Sequence, residues 1–146
     1  MKKINIAFVK ANWHTEIVSK ALEGFRQRIA QEENVDAVIN VFDVPGAFEM
    51  PLVAQKLAKT GKYDAIVCAA LVVDGGIYRH DFVAQAVVDG LMNVQLATEG
   101  PGFSVSLTPH NFQPVDEMVQ FYDTHSVKKG AEAAQAVPAV NVLVVE

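Results

Sequence analysis

Apolar and polar positions follow one another along this chain in two rhythms. The runs "INIAFV" (Ile4–Val9), "VDAVINVF" (Val35–Phe42), "DAIVCAAL" (Asp64–Leu71) and "GFSVSL" (Gly102–Leu107) are short and apolar or alternating, and they predict strands. The third is almost wholly apolar, as a strand covered on both faces must be. Between strands the spacing changes to three and four. Ile17, Val18, Ala21, Leu22, Phe25 and Ile29 predict an amphipathic helix, with Thr15 as its N-cap. "EMPLVAQKLAKTG" predicts a second helix, stopped by Gly61. Phe82, Val83, Ala86, Val87, Leu91 and Val94 predict one apolar side of a third. "TPHNFQP" then leads into helical sequence through "VDEMVQFYDTHSVKKGAEAAQAV". The closing "PAVNVLVVE" returns to a strand-like pattern: an extra edge strand, a segment that docks on a neighbouring subunit, or an altered terminus without a role.

Strand and helix alternate throughout, which specifies an α/β domain with a parallel sheet and right-handed crossovers. No repeat, linker or low-complexity tract divides residues 1–146, so a single domain is expected. Composition narrows the function classes. Hydrophobic residues make up 51% of the chain and charged residues 20%, a folded and not a disordered balance. The net charge is −5, with no basic stripe or arm, so no nucleic-acid partner is expected. No apolar run reaches the roughly 18 residues of a membrane span, so no membrane partner is expected either. "MKKINIAFV" reads as a first strand and not as a leader. Cys68, the single cysteine, lies within an apolar run; it is read as a small core residue and fits a reducing cytoplasm.

In open α/β sheets ligands bind at the carboxyl ends of the strands. The loops expected there are "KANWH", "DVPGAFE", "VVDGGIYRHD" and "TPHNFQ". They hold Trp13, the single tryptophan, and His14, His80 and His110, three of the four histidines. Phe48, Glu49, Arg79 and Asp81 lie there too. The opposite connections, "QEEN", "KTGKY" and "TEGPG", carry no histidine and no aromatic except Tyr63. Polar loops and helix starts explain Asp81 and His14, but they explain Trp13 and Phe48 poorly, because loop aromatics usually serve contacts. "DGG" at 74–76 before a helix start suits an anion, although the same triplet is an ordinary turn; the following "YRH" strengthens the anion reading. The histidines are scattered and no Cys/His cluster exists, so no metal is expected. No Gly-x-Ser-x-Gly elbow is present, which argues against acyl-enzyme chemistry.

Three stretches resemble one family over nearly the whole chain, to about residue 137: "PGAFEMP" after the second strand, "DGGIYRHDFV" after the third, and "VKKGAEAA" in the last helix. The family is that of the 6,7-dimethyl-8-ribityllumazine synthases of riboflavin biosynthesis, and "ALVVDGGIYRHDFV" resembles its divergent type II branch. The resemblance implies a flavodoxin-like three-layer α/β/α sandwich around a four-stranded parallel sheet. It implies condensation of 5-amino-6-(D-ribitylamino)uracil with 3,4-dihydroxy-2-butanone 4-phosphate, without metal or organic cofactor. It also implies a homo-oligomer, a pentamer or a dimer of pentamers, with each site between neighbours.

By position, the resemblance gives Trp13 the stacking place on the pyrimidine, a role that suits a flat π-face. His14 lies beside it in the same loop. Gly46, Ala47, Phe48 and Glu49 match the segment that holds the ribityl chain, with Glu49 ionised near a helix start and accepting from hydroxyls. Val72 and Val73 match backbone contacts to the ring, and Gly75, Gly76 and Ile77 match the phosphate-facing turn. Lys129 and Glu132 fall on the lysine and glutamate of the last helix. Aligned on "DFV", Arg79 takes the place of the usual catalytic histidine, and His80 follows one position later. Histidine has the better pKa for proton transfer near neutrality, whereas arginine stays charged and binds or polarises. Ser104 stands where the family often has an interface phenylalanine, for which Phe112 or Phe121 is a substitute. The usual phosphate-binding arginine of the last helix is missing, and Arg79, His125 or Lys129 can compensate. These departures leave a second reading open: a lumazine- or flavin-binding carrier of the same fold with little turnover.

Overall fold

The computed structural model describes residues 2–12, 14–33, 35–71, 80–98, 102–107 and 127–135, without the side chains at 2, 80–81 and 102–107. Chain order is β1 (Lys2–Ala11), α1 (Thr15–Ile29), β2 (Val35–Val44), a 3-10 turn (Ala47–Glu49), α2 (Met50–Lys59), β3 (Ala65–Leu71), α3 (His80–Thr98) and β4 (Gly102–Leu107). A further helical segment, α4, covers 127–135. Among the described residues the strands form one four-stranded sheet in the order β2-β1-β3-β4. Every pairing is parallel: Ile6 stands opposite Ile39 on one side and Ala65 on the other, and Cys68 stands opposite Ser104.

The central strands read as apolar runs because both of their faces are covered. Ile4, Ile6 and Phe8 of β1 point to one face, where Ile17, Val18, Ala21, Phe25 and Ile29 of α1 meet them, joined by Ala133 and Ala134 of α4. Phe8 and Phe25 meet edge-on with ring centroids 5.5 Å apart, and each is fully buried. Burial of a ring of that size stabilises by about 1.5–3 kcal/mol. Ala7, Val9 and Ala11 point to the other face, beneath Met50 and Ala54 of α2 and Val87 of α3.

Two glycines set how closely α4 approaches α1. A Cβ on Gly24 would overlap the backbone carbonyl of Val127, and one on Gly130 would overlap that of Ala21. The helices therefore cross backbone against backbone, and only glycine fits at either point. At the amino end of the sheet, Asn5 N–H donates to Asp64 Oδ2 (2.8 Å) and Asp64 N–H donates to Asn5 O (2.7 Å), which starts β3 beside β1. Gly61 ends α2 as expected: it follows the C-cap Thr60 with φ 69°, in the left-handed region, with open space where a Cβ would stand.

Three expectations are corrected. Both β1 and β2 run two residues further towards their carboxyl ends than the apolar patterns, because the polar pair Lys10 and Asp43 is held in register by its own ion pair. His14, not Thr15, is the N-cap of α1; Thr15 already lies in the first turn, where its hydroxyl accepts from Lys10 Nζ (3.3 Å). Phe82 and Ala86 do not belong to the buried side of α3, which is formed by Val83, Ala84, Val87, Leu91 and Val94. Phe82 is 64% exposed, and Val88, Met92 and Leu96 share its outward side. A helix apolar on both sides has no single periodic stripe, so spacing alone does not choose its core face.

Candidate functional site at the carboxyl rim of the sheet

From the centre of the sheet α1 passes over one face to the edge strand β2, and α2 returns over the other face to β3. The two connections diverge between β1 and β3, and the carboxyl ends of the strands at such a switch point are where open α/β sheets bind ligands. Lys10 of β1 stands opposite Ala69 of β3, so β1 and β3 end side by side at this rim.

The first loop turns sharply. Asn12 N–H donates to Val44 O (2.9 Å), which carries the β1–β2 pairing one step past the end of β1. His14 then takes φ 51°, ψ 51°. This left-handed conformation is uncommon outside glycine, although histidine is among the residues enriched there. It turns the chain into α1 while the His14 carbonyl accepts from Ile17 and Val18 N–H (3.0 and 3.1 Å).

The second loop leaves β2 beside it. Gly46 is extended (φ −156°, ψ 178°), so it is not used here for a left-handed turn, and its carbonyl accepts from Glu49 N–H (3.3 Å). Gly46 and Ala47 are buried, which pins the 3-10 turn to the sheet. Phe48 is 62% exposed and Glu49 is exposed next to it. Glu49 immediately precedes Met50 and Pro51 at the start of α2, where unpaired N–H groups and the helix dipole favour a negative charge. α3 packs on this turn, and its Gly90 approaches the Pro51 ring so closely that a Cβ would stand 2.9 Å from Cγ.

The other candidates are distributed as follows. His80 is the first residue of α3. Ser104 lies in β4. Lys129 and Glu132 pair with each other across one turn of α4 (3.1 Å). They stand beside the middle of α1, because the α4 contacts fall at Ala21 and Gly24. Ala21 is six residues past Thr15, roughly 9 Å along the helix from its first turn. Trp13, Val72, Val73, Gly75, Gly76, Ile77 and Arg79 lie outside the described residues, as do His110, Phe112, Phe121, His125 and the terminal "PAVNVLVVE". Cys68 is buried, and burial pushes its thiol up to about 12, so it holds its proton near neutrality as a core residue does.

Sequence reasoning missed Lys10. Its side chain is only 13% exposed, and its ammonium lies 3.1 Å from Asp43 Oδ1. A lysine placed where an apolar strand would otherwise continue its core face was the available signal. Among the described residues no group of three or more His, Cys, Asp or Glu could hold a metal ion, and no helix is long and apolar enough to cross a membrane.

These features define a parallel α/β domain in which the loop after β1 and the turn after β2 leave the carboxyl rim of the sheet side by side. The chain belongs to the 6,7-dimethyl-8-ribityllumazine synthase family, whose model matches residues 3–144. It is 60% identical over 134 residues to the 6,7-dimethyl-8-ribityllumazine synthase of Rhodococcus erythropolis, covering 92% of this chain and 86% of that protein. It is 53% identical over 130 residues to 6,7-dimethyl-8-ribityllumazine synthase 2 of Pseudomonas syringae pv. tomato (89% of this chain, 76% of that protein). It is 50% identical over 135 residues to the protein of the same name from Bradyrhizobium diazoefficiens (92% and 81%).

Proposed function

We propose that this chain is a single flavodoxin-like three-layer domain that condenses 5-amino-6-(D-ribitylamino)uracil with 3,4-dihydroxy-2-butanone 4-phosphate. The pyrimidine amine attacks the ketone carbonyl, and loss of water gives an imine. Phosphate then leaves, and ring closure with loss of a second water gives 6,7-dimethyl-8-ribityllumazine. The observation that supports this reading, beside the family membership, is the side-by-side exit of the two rim loops at Asn12 and Val44. Trp13 stacks on the pyrimidine and the Ala47–Glu49 turn receives the ribityl chain, with Glu49 accepting from its hydroxyls. Val72 and Val73 line the ring through their backbone. Gly75, Gly76 and Ile77 meet the phosphate with Arg79. His80 moves the protons, because an imidazole exchanges protons near neutrality and a guanidinium does not.

The working form is a homo-oligomer, a pentamer or a pair of pentamers, in which Lys129 and Glu132 serve a neighbour's rim. One observation supports this: the outward apolar residues Phe48, Leu52, Val88, Met92 and Leu96. Rings of this kind bury such surfaces head to tail. The buried single thiol fits a reducing cytoplasm.

The direct test is to mix both substrates with the purified protein and follow lumazine absorbance against the spontaneous reaction. Product well above background is expected. Tight lumazine binding with product only at the background rate would instead identify a carrier.

A further inference from the structure

We propose that Lys10 is a positioning residue for the pyrimidine half of the site. Its ammonium spans three elements. It pairs with Asp43 Oδ1 on β2 at 3.1 Å, and donates to Thr15 Oγ1 at 3.3 Å and Ser19 Oγ at 3.4 Å, both on the first turns of α1. Lys10 and Asp43 are also register partners, so the pair closes across the β1–β2 ladder at its carboxyl end. Only Ala11, Asn12, Trp13 and His14 lie between Lys10 and Thr15. The lysine thus closes a short ring of chain around the Asn12–His14 loop and ties that ring to the strand that delivers Gly46–Glu49. The Asn12 N–H to Val44 O bond makes a second tie between the same two loops.

Each tie is weak alone. Asp43 is largely exposed, and exposed pairs contribute little to global stability. What the cluster controls is the relative placement of two loops, and a binding constellation must be held to within about 0.5 Å to keep its contacts with the ligand. Lys10 therefore acts on recognition of the ligand held between those loops, and far less on the fold. This rests on the proposed function, because the ligand is the ribitylaminouracil of that reading.

The test compares Lys10→Met, Lys10→Arg and the milder Asp43→Asn with the parent protein. KM for the ribitylaminouracil should rise about tenfold in Lys10→Met and less in Asp43→Asn. The KM for the butanone phosphate and kcat should each stay within about twofold, and Lys10→Arg should recover most of the loss. A second readout needs no substrate: Trp13, the single tryptophan, falls between Lys10 and Thr15 in the sequence, and its emission should become more open to acrylamide in Lys10→Met and Asp43→Asn. Failure of turnover in the parent protein would count against the proposed function and leave the quenching test standing. Unchanged quenching and unchanged pyrimidine KM in both variants would overturn the positioning role. A rise confined to the butanone phosphate KM would also overturn it, because Lys10 would then be binding the anion directly.

Discussion

The two faces of the sheet are finished in different ways. On the α1 face the core is large and aromatic, with Phe8 against Phe25 and isoleucines around them, and α4 closes it through the glycine crossings at Gly24 and Gly130. On the α2–α3 face the core is made of smaller residues, chiefly alanine and valine with Met50. Its outer helix, α3, carries Val87 and Leu91 inward and Phe82, Val88, Met92 and Leu96 outward. One face is completed by contacts inside the chain, whereas the other presents a helix that has apolar surface left over. The difference teaches that the two faces carry different duties: the first is closed within the fold, whereas the second leaves apolar residues on the outer side of α3, the surface that the proposed homo-oligomer would bury.

If that division is right, Gly130→Ala should have the largest effect on stability. Its methyl has nowhere to go but into the Ala21 backbone, and the loss should be about 3 kcal/mol, read from urea melts. A change under about 0.5 kcal/mol would show that the α1–α4 crossing yields easily. On the other face, His80→Ala should leave the melt nearly unchanged while kcat falls roughly 10²-fold, equivalent to about 2.7 kcal/mol of barrier. A near-parental kcat would move the proton transfer to another group.

Cys68 sharpens the comparison through pH, since it lies on the floor of the α2–α3 face. Its thiol has an ordinary value of 9.0 and is pushed up to about 12 by burial. Within that window the native chain keeps a proton that the unfolded chain releases, so stability falls as pH rises and is untouched by this group below it. The slope is at most about 1.4 kcal/mol per pH unit, and Cys68→Ala should remove it from melts taken above about pH 9. A small effect on folding is also expected of Leu96→Gln on the outward side of α3, within about 0.5 kcal/mol. The same change should shift the sedimentation coefficient downward, and an unchanged assembly would mean that subunits meet elsewhere.

The reading of the sequence succeeded where one physical demand dominates. The all-apolar β3 and the spaced Ile17, Val18, Ala21, Phe25 and Ile29 each answer to a single buried environment, and their elements match the pattern. Gly61 was legible because a glycine after a helical pattern has one common use. The reading fell short where two demands compete. The rim ends of β1 and β2 are held by a charged pair, which looks like loop sequence, and α3 has two apolar sides of which only one is core. Gly24 and Gly130 carried a signal, glycine inside a helix, but nothing in the sequence names the backbone that each one admits. For the candidate site, loop composition pointed to His14, Phe48 and Glu49 and the family resemblance added Gly46 and Ala47, whereas the clamp on Lys10 depends on three elements meeting and has no short-range signature.

The placement of β1 has a consequence for how the chain comes together during synthesis. β1, the first of the described strands in chain order, is an inner one with a neighbour on each flank, and its second flank is not filled until β3 ends at Leu71. Up to that residue the nascent chain can form β2-β1-β3 with α1 and α2, but α4, the piece that seals the aromatic face, arrives more than fifty residues later. Parallel pairings of this range form slowly, so the half-finished sheet would stand on the ribosome with Phe25 still uncapped, and this is the interval in which a chaperone that grips aromatic surface would have most to hold.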